Sequence, residues 1–370
     1  MRCLAIASVA LVFPLAASGV LAAEVEPPAT GTFGPAGTLA DARMHHSATL
    51  LPDGRVLIIG GHAEGRAMAG AELWDPETAS YSSTGPLAEA RSWHTASLLP
   101  DGSVVVLGGF DRDPNDPLAS AERWDPVTGA FASAGSLLEP RSMHTATVLP
   151  DGMVLIVGGS TYSDSGMMQP AATTELWDPV AGVTVTSRTG ERYVGHNVGH
   201  TATLLPDGSV LFTQGFGAER WDPADGTISP AGSNIKGRLG ATTSALLDGT
   251  ILIAGGFEYP EVVASTELWD PATGVFEVAE PLIQARQAHT ATVLPDGRVL
   301  VVGGGAYPEP LDSAELRDPV SGTFSPAAPL ATARAWHTAT LLPDGRVLVA
   351  GGGDVDGREG ALASAELWAP

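Results

Sequence analysis

The chain has 370 residues, with 45 glycines, 29 prolines, 44% apolar residues and only 16% charged ones. That composition excludes a disordered chain and points away from helices, because glycine and proline punctuate short strands and suit helix interiors poorly. The formal net charge of −23 excludes nucleic acid and anionic membrane surfaces as natural partners.

The first predicted element is an export signal over residues 1–23. Arg2 precedes an apolar stretch from Leu4 to Val20, and Val20-Leu21-Ala22-Ala23 offers small residues for cleavage. A membrane anchor is the weaker alternative, since Pro14 and Gly19 interrupt a stretch already short for spanning. The expected location is secreted, periplasmic or cell-surface. The one cysteine, Cys3, would leave with the signal, so neither disulfides nor thiolate chemistry are expected of the mature chain. Residues 24–30 read as a short linker.

A repeat then fills residues 31–370. HTATLLPDGRVLVAGG at His337 recurs at His289, His200, His144, His94 and, as HSATLLPDGRVLIIGG, at His46; an eroded copy, ATTSALLDGTILIAGG, begins at Ala241. A phrase of the type AELWDPxTGxF follows each copy, and six steps from His46 to His337 give a period of about 48 to 49 residues. Within a copy, two β-rich runs are joined by Pro-Asp-Gly. A third, AELWD, turns through Asp-Pro into a fourth that carries Tyr81, Phe131, Ile228, Phe276 or Phe324. The last copy stops at Pro370 without its fourth strand, whereas Thr30-Gly31-Thr32-Phe33 matches the fourth-strand phrase. The prediction is an all-β, seven-bladed propeller with four-stranded blades, its ring closed by residues 31–38 pairing with the last blade.

Arg91-x-x-His94, Gly108-Gly109 and Trp124-Asp125-Pro126 resemble kelch repeats, over nearly all of residues 31–370. The resemblance implies a propeller that binds through its loops. It also brings in copper-radical oxidases akin to galactose oxidase, which need a cysteine cross-linked to a copper-ligating tyrosine; with Cys3 removed and five scattered tyrosines, that activity is not expected. A third implied class comprises sugar mutarotases and lyases, with His196 and Glu191 or Arg192 as the first residues to examine.

Residues present in every copy serve the blade, and a site should break the symmetry. Six tryptophans (Trp74, Trp124, Trp177, Trp221, Trp269, Trp368) share the third-strand slot and are expected between blades. The repeated histidines could ring a channel and hold metal, or bond a neighbouring blade; the second is preferred, because ligands must converge on one ion. Arg43, Arg91, Arg141, Arg238, Arg286 and Arg334 either pair with template glutamates or rim the channel mouth. The uniform hairpin turns are expected to be too short for recognition, leaving function to the opposite, loop-bearing face.

There the longest loop, from Ser160 to Thr173, lies beside the shortest, Phe216-Gly217, and an extended link runs from Val183 to Gly199. This notch makes Tyr162, Met167, Met168, Arg192, Tyr193, His196 and Asn197 the candidate ligand contacts. Trp93 and Trp336, in the slot just before the histidine, add stacking surface. Asp111 to Asp116 and Asp354 to Glu359 have oxygen-rich spacing suited to calcium but lack a full calcium-loop pattern. No metal or cofactor is expected. The expected function is an exported binding protein whose partner is an extracellular or cell-envelope glycan or protein, with no insertion into the membrane.

Overall fold

The computed structural model describes residues 30–370 except 112–115, 163–166, 172, 190–198, 215–216, 234–236 and 358. The signal expected over 1–23 and most of the linker lie outside the described residues. Among the described residues the chain is all β, in seven four-stranded units that are antiparallel throughout. Two of these units, the second and third blades, are joined by a single parallel bridge, Ser136 to Val183. The innermost strands are Ser47–Leu50, Thr95–Leu98, Thr145–Val148, Thr201–Leu204, Thr242–Ala245, Thr290–Val293 and Thr338–Leu341. Each touches the next and the last touches the first, so they ring a central axis.

Closure happens where the sequence predicts it. Thr32–Thr38 pairs antiparallel with Ser364–Ala369, placing Phe33 opposite Trp368. The same cross-strand pair recurs as Trp74–Tyr81, Trp124–Phe131, Trp221–Ile228 and Trp269–Phe276. In blade three Trp177 faces Thr184, and in blade six Arg317 stands in the tryptophan slot opposite Phe324.

Inside a blade, the Pro-Asp-Gly turn closes on two backbone bonds, Leu51 N–H to Arg55 O at 2.8 Å and Gly54 N–H to Leu51 O at 3.0 Å. Gly54 takes φ +88°, which a side chain would resist. Second strands such as Val56–Ile59 are buried along their whole length because a blade has a neighbour on each side. The tryptophans lie between blades, as expected. Trp74 packs among Ala36, Leu342 and Leu348 of blade seven and Val56 and Ile58 of blade one, and its Nε1 donates to Ala36 O at 3.0 Å.

The Gly-Gly pair that ends each second strand is a docking surface for the next blade. A Cβ on Gly60 would lie 2.5 Å from Arg91 O and 2.9 Å from the His94 ring, so only glycine lets the blades approach. Several loops after that pair build two-stranded hairpins that no repeated sequence phrase marks: His62–Ala63 with Arg66–Ala67, Ser160–Tyr162 with Met168–Pro170, Phe257–Glu258 with Glu261–Val262, and Gly305–Ala306 with Glu309–Pro310.

Candidate functional site at the channel mouth

The link that enters each innermost strand carries three consecutive roles. The arginine comes first. Arg43, Arg91, Arg141, Arg286 and Arg334 are fully buried and meet Glu72, Glu122, Glu175, Glu315 and Glu366 of their own third strands at 2.6–2.8 Å; Arg238 meets Glu267 likewise. Each guanidinium also donates to carbonyls at both ends of its blade's long loop, as Arg91 does to Gly108 O and Ser120 O, both at 3.0 Å. The glutamate's other oxygen caps the incoming link, as Glu122 does for Ala88 N–H at 2.7 Å. Burial draws the pKa values of Arg43, Arg91, Arg141, Arg286 and Arg334 down against the pull of the paired carboxylates. They clamp the loops and do not rim the mouth.

The histidine three residues on bonds the preceding blade. Nε2 of His46, His94, His144, His200, His289 and His337 lies 2.9–3.0 Å from the hydroxyl of Thr338, Ser47, Thr95, Thr145, Thr242 and Thr290. Burial, then the neighbouring arginine, pushes the His94, His289 and His337 pKa values down to about 3. All six imidazoles are blade-to-blade ties, and those of His46, His94, His144, His289 and His337 are neutral.

Between arginine and histidine, immediately before the latter, sits the slot that lines the axis. It holds His45, Trp93, Met143, Gly199, Gly240, Ala288 and Trp336, every one in the left-handed region with φ between 51° and 78°. In five steps among the described residues its N–H donates to the carbonyl of the same slot one blade back; examples are Trp93 to His45 at 3.3 Å and Trp336 to Ala288 at 3.1 Å. This backbone ring rims the channel. Left-handed non-glycine residues cost of order 1–2 kcal/mol each, so the ring concentrates strain at the mouth.

The ring has two unlike halves. His45 stacks on Trp93 with centroids 3.7 Å apart, Trp336 meets Trp93 edge-on at 5.2 Å, and His62 stacks on the far side of His45 at 5.1 Å. The loop after the last Gly-Gly holds this group from above: Trp336 Nε1 donates to Val355 O at 2.8 Å and His45 Nε2 lies 3.3 Å from Gly357 O. Burial, with His62 second, keeps the His45 pKa well below the usual imidazole value, so the cluster is uncharged at neutral pH. Across the ring stand Gly199, Gly240 and Ala288, and a Cβ built on Gly240 would meet nothing within 4 Å among the described residues. Among the described residues, one half is an aromatic wall and the other is open.

Trp93 and Trp336, distant in sequence, are thus brought together, both half-buried. His45 and His62 were missed. The signal was available in the slot before the repeated histidine, which reads His, Trp, Met, Gly, Gly, Ala, Trp around the ring. Of the notch candidates, Tyr162 is half-buried opposite Met168 in the 160–170 hairpin, and Met167 is exposed. Arg192, Tyr193, His196 and Asn197 lie outside the described residues. In the oxygen-rich loop at 354–359, the Asp354 carboxylate accepts Glu359 N–H at 3.3–3.4 Å.

Comparison with known proteins agrees with this architecture. A Kelch motif model matches residues 94–138, the span from the blade-two histidine through its fourth strand. The fold is that of a kelch-repeat propeller. No curated protein matches the chain by sequence. Among solved structures, a fungal alcohol oxidase of the AA5 family, in complex with copper, superposes with a TM-score of 0.74, covering 92% of this chain and 76% of its own at 19% identity. In all, 1071 chains of solved structures match, so the fold by itself selects no activity. Among the described residues no three His, Cys, Asp or Glu side chains converge on a point that could hold an ion, and the repeated imidazoles are engaged between blades.

Proposed function

We propose that this kelch propeller is a binding protein that takes a glycan at the loop-face mouth of its channel. The observation that carries the reading is the asymmetry of the axial ring, with His45, Trp93 and Trp336 on one side and Gly199, Gly240 and Ala288 on the other. Aromatic faces stack on the apolar faces of sugar rings, and the open half leaves room for one beside them. The uncharged cluster suits a neutral ligand.

The test is the melting temperature of the protein against a panel of soluble glycans. A ligand that binds only the folded form raises stability by about 2.7 kcal/mol at a hundred times its dissociation constant. The expected result is a glycan-dependent rise abolished by Trp93→Ala and by Gly240→Trp. Both residue types already occupy this slot with the same φ, in Ala288 and Trp336, so the fold tolerates them. A rise that survives both variants, or no rise with any glycan, defeats the reading and turns attention to a protein partner.

A further inference from the structure

The uniform turns were expected to be too plain for recognition, yet the hollows on the hairpin face say otherwise. Three adjoin one another across blades two to four, with volumes of about 550, 230 and 480 Å³. The first two share Asp101, Arg123, Pro179 and Val180; the second and third share Asp151. Together they form a furrow. The sequence hides it because each turn is ordinary and the hollows lie between neighbouring turns.

Asp151, at the junction, differs from its counterparts. In blades one, six and seven the turn aspartate pairs with the arginine two residues on: Asp53 with Arg55, Asp296 with Arg298 and Asp344 with Arg346, at 2.6–2.7 Å. In blades two and four that position is serine, and the cation comes instead from the third strand, Arg123 to Asp101 and Arg220 to Asp207. Blade three has neither device. Met153 takes the turn position and Leu176 the strand position, and among the described residues no arginine pairs with Asp151. Among the described residues its carboxylate accepts only the Met153 N–H, at 3.0 Å. In blade five Asp248 has the Arg317 charge within electrostatic reach.

The furrow is mixed: Asp101, Arg123, Asp125, Asp178, Asp207 and Asp225 line it beside Asp151, and its exposed walls carry apolar side chains. Val127 and Val180, at the tips of the third-to-fourth-strand turns, are 91% and 93% exposed, and Pro100, Pro150 and Met153 line the floor. A carboxylate without an arginine partner among the described residues, set beside exposed valines in an acidic furrow on a chain of net charge −23, is complementary to a cation carried between apolar groups. We propose that the furrow docks an extended segment of a partner protein in which a lysine or arginine flanked by apolar residues pairs with Asp151. This goes beyond glycan binding and sits on the opposite face.

The test is fluorescence anisotropy of a labelled pentapeptide alternating valine and arginine. Met153→Arg rebuilds the pair present in blades one, six and seven, so it folds while neutralising Asp151. Asp151→Asn keeps the acceptor for the turn. Both are expected to weaken binding about fivefold or more, the scale of one partly exposed ion pair. Asp248→Asn, at the same turn position in blade five, and Trp93→Ala, at the other face, are expected to leave it within about twofold. No saturable binding to the native protein overturns the proposal. So does equal affinity for a valine–glutamate pentapeptide, or an equal loss with Asp248→Asn.

Discussion

Two adjacent positions in the repeat, one residue apart, have opposite uses. The histidine ring turns outward into the gaps between blades, where six imidazoles make the same bond. The ring just before it turns to the axis, where no two neighbouring blades need agree, and it has become aromatic on one side and small on the other. Repetition follows contact with a neighbour, and variation follows freedom from it. An axial side chain answers to whatever occupies the mouth, whereas an inter-blade side chain answers to close packing.

The sharpest way to break the inter-blade system is to orphan one of its buried charges. Glu315→Ala leaves Arg286 buried without its carboxylate partner, and the expected loss is about 3–5 kcal/mol of stability in chemical denaturation. A loss below about 1 kcal/mol would mean that water or another acid reaches the guanidinium. Acid comes next. The folded pKa values of His94, His289 and His337 lie near 3, below the ordinary value of about 6.5. The unfolded chain therefore binds more protons in that window, and stability falls as the pH falls from about 6 toward 3. The slope is at most about 1.4 kcal/mol per pH unit for each histidine. Melting curves against pH check this, and a flat profile over that range would place the imidazoles in contact with solvent.

A third prediction separates the two rings directly. Trp93→Ala in the axial ring is expected to cost only about 1–2 kcal/mol, mostly its stacking on His45, while removing the glycan response. His94→Ala should leave any glycan response in place and lower stability by about 1–3 kcal/mol through the lost bond to Ser47 and the void. If both variants lose binding in equal measure, the division between the rings is wrong.

The smallest effects concern places where the repeat erodes. In the regular blades the first glycine of the pair faces the next blade's histidine. Blade four has Gln214 there, and the following blade has Ala241 in place of the histidine. Thr201, left without an imidazole, bonds Thr213 at 2.8 Å instead. The two changes read as one coupled event, so Ala241→His alone should destabilise, and Gln214→Gly with it should recover about 1 kcal/mol or more. Additive effects in that double-mutant cycle would uncouple them. In the same way Arg317, 6% exposed with its Nε unpartnered among the described residues, is expected to yield about 1 kcal/mol of stability on change to tryptophan.

The chain by itself determined the period, the four strands of each blade, the closing strand at Thr32–Thr38 and the inter-blade place of the tryptophans. These are legible because a feature written in nearly every copy has one structural cause, and strand alternation and turn chemistry act over a few residues. Only the tertiary structure decided which arginines met which glutamates, since Arg91 and Glu122 lie 31 residues apart. It alone brought His45, Trp93 and Trp336 to one point, across the seam between the last blade and the first. The Asp151 furrow likewise exists only between turns. Ring closure sets such distances, and no local pattern encodes how far apart two loops stand once the ring is shut.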